Sequence, residues 1–130
     1  MARLTIRIDL PPSGQLGPGK ARLLELIGET GSISAAGRAL EMSYRRAWLL
    51  VDALNHTFRE PLVSTMLGGK AGGGARLTPF GREVLLHYRR LEARAASACK
   101  PQLMALEAAL AKPPGSAAPR PVAKDPDLEE

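Results

Sequence analysis

The stretch GSISAAGRALEMSYRRAWLLVDAL, from Gly31 to Leu54, places two short helices around a tight turn and so decides the fold. Its first helix is expected from about Ser34 to Leu40, with the hydroxyl of Ser32 or Ser34 available to satisfy backbone N–H groups at its start. Ala35, Ala36 and Gly37 in its middle are small, which lets a second helix cross at short range. Glu41 and Met42 then make the turn, and Ser43 caps a longer helix from Tyr44 to about Thr57. Within that helix Ala47, Leu50, Val51, Leu54 and Phe58 recur at three- and four-residue steps and form one apolar stripe. Tyr44, Arg45 and Arg46 stand at its beginning, where a recognition helix meets base edges and phosphates. The competing interpretation is an ordinary amphipathic helix pair with solvated arginines. Trp48, between the stripe and the outer face, is expected to pack rather than to contact DNA.

The next segment favours the DNA-binding interpretation. Pro61 to Leu67 is a short apolar run, followed by Gly68-Gly-Lys-Ala-Gly-Gly-Gly-Ala-Arg76-Leu77, a hairpin with a glycine-rich tip. Glycine backbone can approach another surface closely, and Lys70 and Arg76 bring charge to a phosphate chain beside it. This is the composition of a wing. A phosphate-cradling nucleotide loop would need Ser or Thr after its lysine, and Ala71 follows Lys70.

Upstream, Leu4 to Leu10 alternates apolar and polar residues as a strand does, and Pro11, Pro12 and Gly14 end it. It is expected to pair near the wing or with its equivalent in a partner. Pro18 or Gly19 opens a helix that carries Leu23, Leu24, Leu26 and Ile27 to Thr30, where Gly31 stops it. Downstream, Thr78-Pro79 starts a long helix. Val84, Tyr88, Leu91, Ala95 and Ala98 follow one another at alternating four- and three-residue steps, with Leu103, Leu106 and Leu110 beyond Pro101. So narrow a seam is expected to pair with the same helix of a second subunit, the alternative being that it folds back on its own domain, with Pro101 able to kink it for either. Residues 1–111 are thus one domain, with the dimerisation helix over about 78–111. The proline-rich stretch 112–130 is expected to be a disordered tail.

The chain of 130 residues has two Phe, two Tyr and one Trp, so leucine and alanine must fill the core. Its formal charge is +5, but residues 1–112 hold 16 Lys and Arg against 9 Asp and Glu, a net +7. That excess favours a polyanion, although charge alone also suits acidic membranes or proteins. Cys99 is the single cysteine, which excludes an intrachain disulfide or a paired-thiolate metal site and fits a reducing cytoplasm. His56 and His87 lack companions at ligand spacing, so no metal is expected. A signal segment and a bilayer-length apolar run are both missing, so a soluble, cytoplasmic protein without membrane contact is expected. No nucleophile, base or carboxylate pair shares a motif, so neither catalysis nor a cofactor is expected.

Residues Leu4 to Ala95 resemble the N-terminal DNA-binding domain of the molybdate-responsive ModE regulators, itself related to the winged helix of LysR-type regulators. The resemblance rests on Glu29 to Ala36 (ETGSISAA), Met42 to Trp48 (MSYRRAW), Gly68 to Thr78 (GGKAGGGARLT) and Gly81. Ala71 departs from the family's wing, where glycine is usual. The family's C-terminal oxyanion-binding modules are not expected within these 130 residues, so the resemblance implies DNA binding without direct molybdate sensing, with a separate sensor protein or an oxyanion as the further partner.

Taken together, a mainly α fold with a small β wing is expected: a winged helix-turn-helix with a long C-terminal dimerisation helix. It would act as a sequence-specific transcription regulator, a homodimer on a roughly palindromic stretch of double-stranded DNA, and the resemblance links it to molybdenum metabolism. Ser32, Ser34, Ser43, Tyr44, Arg45, Arg46, Lys70 and Arg76 are the candidate DNA-binding residues. The alternative is a protein that holds molybdate or another oxyanion at basic sites between subunits.

Overall fold

The computed structural model describes residues 1–12, 14–66 and 74–111. Among the described residues, five helices and two separate two-stranded hairpins follow in the order β1 (Ile8–Leu10), β2 (Gly14–Leu16), α1 (Pro18–Thr30), α2 (Ile33–Ala39), α3 (Tyr44–Thr57), β3 (Val63–Met66), β4 (Gly74–Leu77), α4 (Pro79–Ala98) and α5 (Lys100–Ala108). This is the expected mainly α fold with a β wing.

Local signals set the helix ends. Pro18 begins α1 where its missing N–H costs nothing, and Gly31, at φ +70°, closes it by donating its N–H to the carbonyl of Ile27. Ser32, Ser43 and Thr78 cap α2, α3 and α4, their hydroxyls accepting from the backbone N–H of Ala35, Arg46 and Gly81 at 3.0, 3.1 and 2.8 Å. Leu23, Leu24 and Ile27 of α1, Ala36 of α2, and Ala47, Val51 and Leu54 of α3 meet in one core, which Leu62 and Tyr88 close.

The wing hairpin pairs β3 with β4 antiparallel, Val63 opposite Leu77 and Ser64 opposite Arg76. Its period-two alternation buries Val63, Ala75 and Leu77 and turns Arg76 outward. Ala75 donates its N–H to the Gly31 carbonyl at 2.9 Å, fastening the wing to the end of α1.

Two expectations about pairing are corrected. Of the strand read from Leu4, only Ile8–Leu10 is extended in a ladder, and its partner is Gly14–Leu16, not the wing or another subunit. The turn at Pro11 and Pro12 brings the chain back, and the second strand is not legible in the sequence because Gly-Gln-Leu carries no alternation. The seam of the last helix also divides. Val84 and Tyr88 lie in the chain's own core, and the Tyr88 hydroxyl donates to the Ile6 carbonyl at 2.5 Å. Leu91 and Ala98 stay exposed and Ala95 is half-buried. The first turns of α4 cross α1, so there the stripe covers its own domain and not a second subunit's. The helix also breaks at Cys99, just before Pro101, whose ring nitrogen cannot donate to the preceding turn.

Arg89 ties α4 to α1. Its guanidinium spans Glu25, at 3.0 and 2.9 Å, and Glu92, at 2.8 Å, while Arg22 reaches Glu25 at 3.0 Å. The hydrogen bond from Arg89 is the main cause holding the Glu25 carboxyl below the ordinary carboxylate range. Burial pushes the Tyr88 phenol above its usual value. Among the described residues, no helix is long and apolar enough to cross a membrane. The stretch 112–130, read as a tail, lies outside the described residues.

Candidate nucleic-acid interface

The site is built on the crossing of α2 and α3. A Cβ placed on Gly37 would stand 3.0 Å from the Cβ of Ala47 and 3.6 Å from Met42 Cγ, so the two helices touch almost backbone to backbone. Between them the chain turns through Glu41 at φ +57°, and Met42 donates its N–H to the Gly37 carbonyl at 3.0 Å. Ser43 then sets the first turn of α3 through its bond to the Arg46 N–H. This scaffold holds the N-terminal residues of α3 away from the core: Ser43, Tyr44, Arg45 and Arg46 are all exposed.

The arginines of the described residues differ in their partners, and Arg38 and Arg82 donate to the Ser34 hydroxyl and the Leu77 carbonyl. Arg7, Arg22, Arg59 and Arg89 pair with carboxylates. Among the described residues, neither the Arg45 nor the Arg46 guanidinium has a hydrogen-bond or ion-pair partner, so two full charges stand open at the start of one helix. A fixed cationic edge without its own counterion suits a phosphate chain. Arg76 is likewise exposed on β4. Lys70 and the glycine tip lie outside the described residues.

Ser32 and Ser34 sit differently. Both are half-buried; Ser32 is engaged in capping α2, and Ser34 accepts from Arg38 Nη1 at 2.8 Å. The structure therefore gathers Ser43, Tyr44, Arg45 and Arg46 on one helix turn and gives the other two serines partners within α2.

Trp48 departs from its expected packed position. It is 38% exposed, its ring lies edge-on to Tyr44 with centroids 6.4 Å apart, and its indole N–H donates to the Tyr44 hydroxyl. The Gly37–Ala47 contact leaves no gap between α2 and α3 for an indole, so the ring rests on the tyrosine one turn earlier. It thereby steadies Tyr44 and leaves the phenolic proton available to an outside acceptor.

Asn55 is a residue that sequence reading missed. Its Oδ1 accepts from the backbone N–H groups of Leu62 and Val63 at 2.8 and 3.1 Å, and its Nδ2 donates to the Val63 carbonyl at 3.1 Å. One side chain near the end of α3 thus orients the first strand of the wing. An asparagine inside a helix, where it is a poor helix former, was the available signal.

No family model matches the chain. It is 47% identical over 79 residues to the molybdenum-pterin-binding protein MopB of Rhodobacter capsulatus, covering 61% of this chain and 29% of that protein. To the DNA-binding transcriptional dual regulator ModE of Escherichia coli K12 it is 37% identical over 87 residues, covering 67% and 33%. The chain thus spans about a third of the length of these relatives. Among solved structures it is similar to the full-length LysR-type regulator LysG of Corynebacterium glutamicum with bound arginine. There the TM-score is 0.50 at 28% identity, over 73% of this chain and 30% of that one.

Proposed function

For a chain that carries the winged-helix domain of the ModE group, we propose a DNA-binding transcription regulator that acts in the cytoplasm as a homodimer on an approximately palindromic operator. The observation that supports it is the pair Arg45 and Arg46, exposed at the start of α3 and without a partner among the described residues. Arg45 reads base edges in the major groove and Arg46 holds phosphate; Ser43 and Tyr44 reach the backbone, and Lys70 with Arg76 grip the strand beside the wing. Residues 1–111 act as one unit. A second copy covers the apolar surface formed by Leu91 of α4, Met104, Leu106 and Leu110, all exposed in the single chain. The names of the relatives connect the target genes to molybdenum, and we assign molybdate or a related oxyanion as the signal, read outside the winged helix.

The test uses the full chain, a duplex selected from a randomised pool, and a scrambled duplex of equal length. Arg45→Ala weakens binding to the selected duplex by about 1–3 kcal/mol and flattens preference at one position per half-site. Lys70→Ala weakens both duplexes alike and lowers the salt dependence. Equal losses on both duplexes for Arg45→Ala, Arg46→Ala and Lys70→Ala refute these roles.

A further inference from the structure

Leu49 is left without a task by the roles above. A helix turns about 100° per residue, so the face opposite the buried Ala47, Val51 and Leu54 carries Arg45, Leu49 and Asp52. Leu49 is 57% exposed at the middle of that outward line, and Tyr44, at 58%, and Trp48 are exposed to one side of it. A single exposed leucine is ordinary. Three large apolar side chains within six residues, with two arginines that have no partner among the described residues set between the first and the second of them, are not. The complement must offer negative charge at its margin and apolar groups within. A duplex has that layout, with phosphates along the edges of the major groove and the C5-methyl groups of thymine on its floor.

Resting on the DNA-binding function proposed above, we infer that Leu49 is a specificity-determining residue, its terminal methyls packing against a thymine C5-methyl in each half-site. The four-residue step from Arg45 to Leu49 advances about 6 Å along the helix axis, nearly two base-pair steps, so the thymine lies next to or one pair beyond the base that Arg45 contacts. Asp52, one turn further, interacts with His56 at 3.5 Å and presents a carboxylate that phosphates repel. Leu49 is thus the last groove-facing residue of α3.

The experiment selects a preferred duplex from a randomised pool with the full chain and then replaces its thymines one at a time by deoxyuridine, which removes the methyl and keeps the base pair. Wild type binds about four-fold more weakly when one particular thymine in a half-site is replaced, whereas Leu49→Ala is indifferent to that replacement and unfolds at the wild-type temperature. The inference is overturned if no thymine is sensitive, or if Leu49→Ala keeps the sensitivity. A changed sedimentation mass for Leu49→Ala with unchanged duplex preference overturns it in favour of a protein interface. Failure to enrich any sequence removes the DNA-reading function itself, a result distinct from an enriched sequence that ignores the methyl.

Discussion

Removing the Asn55 side chain with Asn55→Ala should cost about 3 kcal/mol of folding stability. Three hydrogen bonds disappear, each contributing about 1 kcal/mol net. Two of them serve backbone N–H groups of Leu62 and Val63, residues whose side chains are buried, and an amide left there without a partner adds a desolvation penalty of about 1 kcal/mol or more. Partial access of water to the half-buried Asn55 offsets part of that sum. Urea unfolding at one fixed protein concentration gives the stability change, because self-association of the kind proposed would make the midpoint depend on concentration. Amide exchange locates it: the N–H groups of Leu62 and Val63 should lose protection, while those in the middle of α1 slow or quicken only with global stability. The wing would also lose its fixed angle to α3, so affinity for the selected duplex should fall without any loss of charge. A stability change under about 0.5 kcal/mol, or an equal change with protection at Leu62 and Val63 retained, would show that other contacts orient the wing.

Two glycines in helices should respond in opposite directions. A Cβ at Gly81 would stand 2.1 Å from the Leu62 carbonyl oxygen, a backbone atom that cannot step aside, so Gly81→Ala should cost about 3 kcal/mol or more. At Gly19 a Cβ meets nothing within 4 Å, and Gly19→Ala should stabilise by about 0.5 kcal/mol through lower chain entropy; matching urea midpoints for the two would contradict this geometry. Glu25→Gln should lower stability at neutral pH by about 1 kcal/mol after solvent screening. Since the folded carboxyl titrates below its ordinary 4.5, its contribution is complete above that pH and fades as pH falls through the folded value. Wild type and Glu25→Gln should therefore converge on acidification, and a pH-independent gap between them would count against the Arg89 pairing.

What could be read from the chain alone was whatever depends on neighbours within a few residues. Ser43 and Thr78 as caps, Gly31 as a stop, and the small residues at the α2–α3 crossing are short-range signals, because a cap or an αL turn is satisfied within one helical turn. The exposed start of α3 followed from the same local periodicity. Tertiary structure decided the matters in which distant surfaces compete. Val84 and Tyr88 have the spacing of an intersubunit seam, yet the chain's own core, with Ile8, Leu10 and Leu16 beside them, buries them first. Gly14–Leu16 is a strand only because β1 supplies its ladder partners, and Trp48 turns outward only because Gly37 and Ala47 already fill the space beneath. Periodicity states which residues seek cover; the packing of the whole chain determines which surface provides it.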